Sequence, residues 1–213
     1  LADISSDVPL MIGTTFNELQ RSVYNTEGEL SFEQAKPLLE PVFGDLTDEL
    51  ISEFNKAYPG WTAKDLVSMD RMFRPKTIIT ADAIASRRTA DTYMYMFDCK
   101  SPVSGAAVHG NELAFCFNTL DLVPDQIPVP DQKDFDLADL MSESWANFAK
   151  YGNPNVDGQP EWKPYSSENG EVFVFDYECS VKNNFDRRLQ EIVNACCFRQ
   201  LDEFRAGKLS ENT

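Results

Sequence analysis

The sequence predicts an α/β protein with a central sheet of parallel strands flanked by helices. Residues 8–15 form a short apolar run of the kind found in parallel strands that are covered on both faces. Residues 92–98 form a second such segment, rich in aromatic side chains and bounded by polar ones. The stretch between them carries helical signals, as expected of a connection between parallel strands. With no internal repeat and no low-complexity linker, residues 1–213 are predicted to form one domain.

The first predicted strand leads directly to an acidic residue. Gly13 and the two threonines after it suit a tight exit loop, and this loop then carries Asn17 and Glu18. An acid just past the carboxyl end of a parallel strand stands where α/β folds place their functional residues. The same glutamate also fits an ordinary loop or the first turn of a helix, where a negative charge is favourable.

The region between the first two strands, residues 31–91, is predicted to be mainly helical. Two helices are predicted over residues 47–58 and 76–91. Two pairs of polar residues have the spacing of a capping box, which marks the N-terminus of a helix: Ser31 with Gln34, and Thr62 with Asp65. None of these segments carries an obvious catalytic pattern, so the region is interpreted as a helical wall around a pocket.

The second half of the chain continues the alternation of strands and helices. The segment over residues 92–98 leads into a loop and then to His109. The remaining elements, in order, are a proline-containing connection over residues 121–131, a helix with apolar residues from Leu137 to Ala149 that Gly152 ends, a strand over 171–177 and a last helix over 186–204. Residues 210–213 are expected to be a frayed tail.

Composition excludes some partners and leaves the compartment open. The net charge is −16, with 35 acidic against 19 basic residues, which disfavours binding to nucleic acid. No apolar run approaches the roughly 18 residues that cross a bilayer, so no membrane span is expected. Residues 1–7 lack the pattern of a signal peptide. The chain begins with Leu1 rather than Met, which favours a fragment or a processed product.

The cysteines do not predict a metal site or a disulfide framework. Their number is odd, at five, and their spacing is irregular. With only one histidine in the chain, no zinc-binding motif can be assembled, and we expect neither a metal nor a cofactor. The cysteines are interpreted as small buried apolar residues.

The single histidine, His109, is the candidate proton carrier. Histidine has an unperturbed pKa near neutrality and is the usual general base, although a lone histidine also fits a surface or core position. Glu18 and His109 lie 91 residues apart, and each follows a predicted strand. In α/β-hydrolases the catalytic triad runs along the chain as Ser, then Asp or Glu, then His, so this pair fits the second and third places.

Four segments resemble, in the same order, the C-terminal part of type-B carboxylesterases, the carboxylesterase/cholinesterase-like family that includes para-nitrobenzyl-esterase-like enzymes. The strand-plus-acid segment and the histidine segment are two of them, and a tryptophan-containing helix end and a turn complete the set. They read PLMIGTTFNE at residues 9–18, VHGNELAFCF at 108–117, SWANFAKYGNPN at 144–155 and PEWKPY at 160–165.

This resemblance implies the C-terminal portion of an α/β-hydrolase fold and the hydrolysis of small-molecule carboxylic esters. It implies that His109 acts as general base, that Glu18 orients it, and that Glu112 supports the histidine loop. Asn17 and Leu19 depart from the family, which has Asp and Gly at these places. Neither the G-x-S-x-G nucleophile motif nor a Gly-Gly oxyanion segment occurs in the sequence.

The absence of a nucleophile motif from the sequence affects which activity is expected of this chain. In the family the serine and the oxyanion segment precede the acid, so both are expected in a missing N-terminal part of the same polypeptide, and the isolated chain is expected to be inactive. One alternative is a non-catalytic binding or adhesion module of cholinesterase-like type. Another is a free-standing interaction module in which His109 is a surface residue. The sequence does not identify the acyl or alcohol group of a substrate.

Overall fold

The structure, a computed structural model, describes residues 6–19, 28–87 and 89–205, with side chains as far as residue 197. Its four strands form one sheet in the order β1-β2-β3-β4, where β1–β2 and β2–β3 are parallel and β3–β4 is antiparallel. The strands are Leu10–Thr15 (β1), Thr92–Phe97 (β2), Glu171–Phe175 (β3) and Ser180–Asn183 (β4). The predicted parallel sheet is therefore confirmed, and β4 extends it with a hairpin that the apolar pattern did not indicate.

Seven α-helices accompany the sheet in the described part of the chain. They are Phe32–Phe43 (α1), Thr47–Ala57 (α2), Ala63–Ser68 (α3), Arg74–Ala85 (α4), Asn111–Cys116 (α5), Gln132–Tyr151 (α6) and Arg187–Arg205 (α7). Both predicted capping boxes are present, at the starts of α1 and α3. Gly152 ends α6 in the left-handed conformation, with φ of 71°, as its position after the helix predicted.

Two helical segments differ from the sequence prediction. The helix expected over residues 76–91 ends at Ala85, because the backbone N–H groups of Thr89 and Ala90 donate instead to the carbonyl of Ser6 and direct the chain into β2. The six-residue α5 was not predicted, since one and a half turns are too short to establish a helical period. The tail expected over residues 210–213 lies outside the described residues.

The pairing of β1 with β2 determines what lies at the end of the sheet. The two strands pair in step from Leu10 opposite Thr92 to Thr15 opposite Phe97, so they end at the same level. Gly13 lies against the ring of its cross-strand neighbour Tyr95, and a Cβ atom there would overlap the ring carbons. A side chain at this position would force the strands apart, so the close pairing depends on the glycine.

All five cysteines are free thiols. Cys99, Cys116 and Cys196 are buried, as predicted, whereas Cys179 and Cys197 are only partly buried. Burial raises the pKa of Cys99 and of Cys116 to about 12, so these thiols stay protonated and pack as apolar groups. Among the described residues, no helix combines the length and the apolar character needed to cross a membrane.

A buried ion pair fastens α4 to the start of α7. The guanidinium of Arg74 donates from Nε and Nη2 to the two carboxylate oxygens of Asp186, each at 2.9 Å, and both side chains are 3% exposed. The hydroxyl of Tyr58 donates to the same carboxylate at 3.2 Å. The carboxylate of Asp186 therefore joins three segments of the chain, which contain Tyr58, Arg74 and Asp186 itself.

We expect Asp186→Asn to lower the free energy of unfolding by about 3–5 kcal/mol, because it leaves the guanidinium of Arg74 buried without its counter-charge. Urea denaturation followed by circular dichroism measures this change. Glu49→Gln is the matched control: it breaks the exposed pair of Glu49 with Arg188, which solvent screens, and should have little effect. Equal losses in the two variants would contradict the interpretation.

Candidate active site

The segments that follow β1 and β2 run side by side beyond the ends of the strands. The backbone N–H of Asn17 donates to the carbonyl of Ala107 at 3.0 Å, and the N–H of His109 donates to the carbonyl of Glu18 at 2.9 Å. Glu18 and Val108 form an isolated parallel bridge between these contacts. The parallel pairing of the sheet thus resumes locally and brings the predicted acid and histidine together.

The side chains of Glu18 and His109 form a short hydrogen bond. Nδ1 of His109 lies 2.6 Å from Oε2 of Glu18, across the 91 residues that separate them in sequence. A carboxylate can only accept, so Nδ1 carries the proton, and in the neutral imidazole Nε2 is then the basic nitrogen. The predicted residues therefore have the mutual geometry of a base and its orienting acid.

The loop before the acid holds its carboxylate in one direction. The side chain of Glu18 is 7% exposed, and its Oε1 accepts the backbone N–H of Thr15 at 2.8 Å. In return, the N–H of Glu18 donates to the hydroxyl of Thr15 at 3.1 Å. Glu18 has a φ of 40°, in the left-handed region that residues other than glycine rarely adopt. Such backbone strain persists only where surrounding contacts hold the residue in place.

The imidazole of His109 is exposed to solvent, whereas the carboxylate of Glu18 is buried. The side chain is 58% exposed, and among the described residues Nε2 has no hydrogen-bond partner. One face of the ring stacks on Phe73, with centroids 5.9 Å apart and ring planes 16° apart. Phe73 lies immediately before α4, so the sequence pattern gave no sign that it reaches the histidine. One nitrogen is therefore fixed and the other faces open space.

Glu112, the predicted supporting residue, lies in the first turn of α5. No hydrogen bond or ion pair joins its carboxylate to His109; the backbone N–H groups of Gly110 and of Glu112 itself stabilise its charge. Burial raises the pKa of Glu112, the nearby charge of Glu18 raises it further, and His109 opposes the shift. Its Oε2 is buried without a hydrogen-bond partner. Its influence on the imidazole is therefore electrostatic.

No metal-binding cluster accompanies this pair. Across residues 6–19, 28–87 and 89–205, no three His, Cys, Asp or Glu side chains converge as a metal site requires. The groups that do converge are one imidazole, one carboxylate and backbone N–H groups. This set can accept, hold and return a proton at Nε2, and it requires a nucleophile to act upon.

Comparison with known proteins agrees with this geometry. An esterase from Clostridium hathewayi that can hydrolyse aliphatic aromatic polyesters superposes with a TM-score of 0.73 at 26% identity, over 89% of this chain and 38% of that one. A PNB esterase superposes with a TM-score of 0.60 at 25% identity, over 87% and 38% of the two chains. The sheet and its flanking helices are thus part of an α/β-hydrolase fold.

Sequence comparison identifies the family within this class. Residues 1–192 match the model of the carboxylesterase family. Human cocaine esterase is 28% identical over 184 residues, which are 76% of this chain and 32% of that enzyme. The chain belongs to the carboxylesterase family, as the four matched segments predicted. It spans about a third of the length of the relatives that it matches.

The raised pKa of Glu112 leads to a pH-dependent effect on stability. The unfolded chain releases this proton near pH 4.5 and the folded chain releases it at higher pH, so folding is penalised as pH rises above 4.5. Glu112→Gln removes the titrating group. We expect the variant to gain stability relative to the natural protein between pH 4.5 and neutrality, with no gain below pH 4.5.

Urea denaturation at a series of pH values measures this difference, and the low-pH values are the internal control. A variant that is less stable than the natural protein at neutral pH would contradict the expectation, because it would show that the Glu112 carboxylate makes a net stabilising contact.

Proposed function

We propose that this chain supplies the acid and the base of a carboxylesterase with a Ser-His-Glu triad. The observation that carries the proposal is the 2.6 Å hydrogen bond between Glu18 and Nδ1 of His109, together with the accessibility of the imidazole. A buried carboxylate that fixes one imidazole nitrogen and leaves the other free is the arrangement that general-base catalysis requires. Family membership supports ester hydrolysis as the reaction.

In the proposed mechanism His109 moves a proton twice. Nε2 takes the proton of the serine hydroxyl as the serine oxygen attacks the ester carbonyl, and then returns it to the departing alcohol. Water hydrolyses the resulting acyl-enzyme with the same base. Glu18 holds the imidazole in the tautomer that leaves Nε2 basic, and it stabilises the imidazolium that forms. The substrates are small-molecule carboxylic esters.

The serine and the oxyanion donors are assigned to polypeptide outside these 213 residues. The sequence lacks a G-x-S-x-G segment. Within the described residues, β1 is an edge strand, because it pairs only with β2. Parallel strands are usually found in the interior of a sheet, so a further strand is expected beside β1. Both observations support a view of residues 1–213 as the C-terminal part of one α/β-hydrolase domain. In this view Glu112, in the first turn of α5, acts on the imidazole of His109 only through its charge.

A non-catalytic binding module of the same fold is the alternative. A module of this kind has no requirement for an oriented acid or for an accessible imidazole. The strained backbone of Glu18 and its short contact with His109 therefore favour catalysis.

Replacement of the base in a polypeptide that also carries the nucleophile tests the proposal. We expect His109→Ala to lower kcat for p-nitrophenyl acetate by about 10⁴-fold or more, with KM little changed, because the base acts in the transition state. Glu18→Gln should also lower kcat strongly. Glu161→Gln, at an exposed position in the turn before Trp162, is the control and should leave kcat unchanged. A near-normal kcat in His109→Ala would show that His109 is not the general base.

The 213-residue chain by itself tests the division of the triad. We expect it to show no turnover of p-nitrophenyl acetate above that of its own His109→Ala variant, and no labelling by a fluorophosphonate that reacts with activated serines. Turnover in the isolated chain that His109→Ala abolishes would refute this expectation and would place a nucleophile within these residues.

A further inference from the structure

Asn17 joins the acid segment to two other parts of the molecule. It immediately precedes Glu18 and is fully buried, at 0% exposure. A buried primary amide has two donors and a carbonyl acceptor that must all find partners. The partners of this amide include backbone and side-chain groups 51 and 90 residues away. The side chain therefore does more than fill space in the loop.

The acceptor half of the amide binds Ala107, the residue immediately before the histidine segment. Oδ1 of Asn17 accepts the backbone N–H of Ala107 at 2.8 Å, while the backbone N–H of Asn17 donates to the carbonyl of Ala107 at 3.0 Å. One residue thus satisfies both backbone groups of Ala107. This double contact lies two residues before His109 and one residue before Glu18. It fixes the register in which the segment that contains Glu18 lies beside the segment that contains His109.

The donor half of the amide anchors this junction to α3. Nδ2 of Asn17 donates to the carbonyl and to the hydroxyl of Ser68, each at 3.1 Å. The hydroxyl of Ser68 donates in turn to the carbonyl of Lys64, one turn earlier in α3. The acid segment is therefore held from the helical side as well as from the histidine side.

We propose that Asn17 is the positioning residue of the site, and that its amide holds Glu18 and His109 in the register that allows their hydrogen bond. The catalytic consequence rests on the function proposed above, whereas the positioning itself does not. The strained backbone of Glu18 makes such a device necessary, because without an anchor at the preceding residue the loop relaxes and the carboxylate turns away from Nδ1.

The single histidine of the chain provides a direct test. In the 213-residue chain every imidazole NMR signal comes from His109, so the Nδ1–H proton reports on the hydrogen bond without any activity. We expect a strongly deshielded Nδ1–H signal in the natural chain. In Asn17→Ala we expect this proton to exchange with water about ten-fold faster or more, since the freed loop opens more often.

Two further variants separate positioning from simple stability. Asn17→Asp keeps an acceptor for the N–H of Ala107 but loses the donors to Ser68, so it should restore most of the protection of the Nδ1–H proton. Asn155→Ala is the matched control. Asn155 also accepts a backbone N–H, that of Trp162, and donates to the carbonyl of the same residue, but in a turn outside the site. It should lower the melting temperature and leave the Nδ1–H signal unchanged.

Each outcome of the NMR experiment either supports or overturns the positioning role of Asn17. An unchanged Nδ1–H signal in folded Asn17→Ala overturns it, and so does an equal loss of protection in Asn155→Ala. If Asn17→Ala does not fold, Asn17→Asp carries the test: retention of the signal supports the acceptor role, and its loss overturns that role.

Kinetics in a polypeptide that carries the nucleophile give a second measurement. We expect Asn17→Ala to lower kcat by about 10²-fold with KM little changed, because a displaced acid misaligns the base. Asn155→Ala should retain kcat. If the natural enzyme hydrolyses no ester, the proposed function fails, while the NMR measurement still decides the role of Asn17.

Discussion

The in-step pairing of β1 with β2 is the constraint on which the site depends. Two parallel strands that end at the same level send their following segments in the same direction, so residues far apart in sequence can meet without any local signal. Glu18 and His109 meet in this way, and a shift of one residue would turn their side chains apart. The close approach of Gly13 to Tyr95 supports this register, so a glycine in the core contributes to geometry at the sheet's end.

Three carboxyl groups interact electrostatically at the site, those of Glu18, Asp70 and Glu112. Burial raises the pKa of both Asp70 and Glu112, and the charge of Glu18 raises it further, while backbone N–H groups oppose the shift at each carboxyl group. Asp70 also organises its own loop: its N–H donates to the carbonyl of Phe16, and its carboxylate accepts the N–H of Phe73. The residue that stacks on the imidazole is thus fixed by an acid that belongs to the same charge cluster.

The sequence predicted those features of the fold that depend on interactions between residues close together in the chain. The three parallel strands, the capping boxes and the Gly152 helix end were recognisable because apolar runs, side-chain caps and left-handed glycines act within a few residues. The contact between Glu18 and His109 was predicted from chain order and family resemblance. The stacking of Phe73 and the amide contacts of Asn17 were not predictable, since they depend on where a third and a fourth segment pack.

The direction of the imidazole separates this site from a surface histidine. An exposed side chain of ordinary kind samples several rotamers, whereas His109 has Nδ1 held by a buried carboxylate and one ring face held by Phe73. Each contact removes a different rotation of the ring, so Nε2 points one way although the side chain is 58% exposed. A base must be accessible to its reactants and also pre-oriented toward them. In its proposed role as general base, His109 meets both requirements, because Glu18 and Phe73 hold the ring while more than half of the side chain stays exposed.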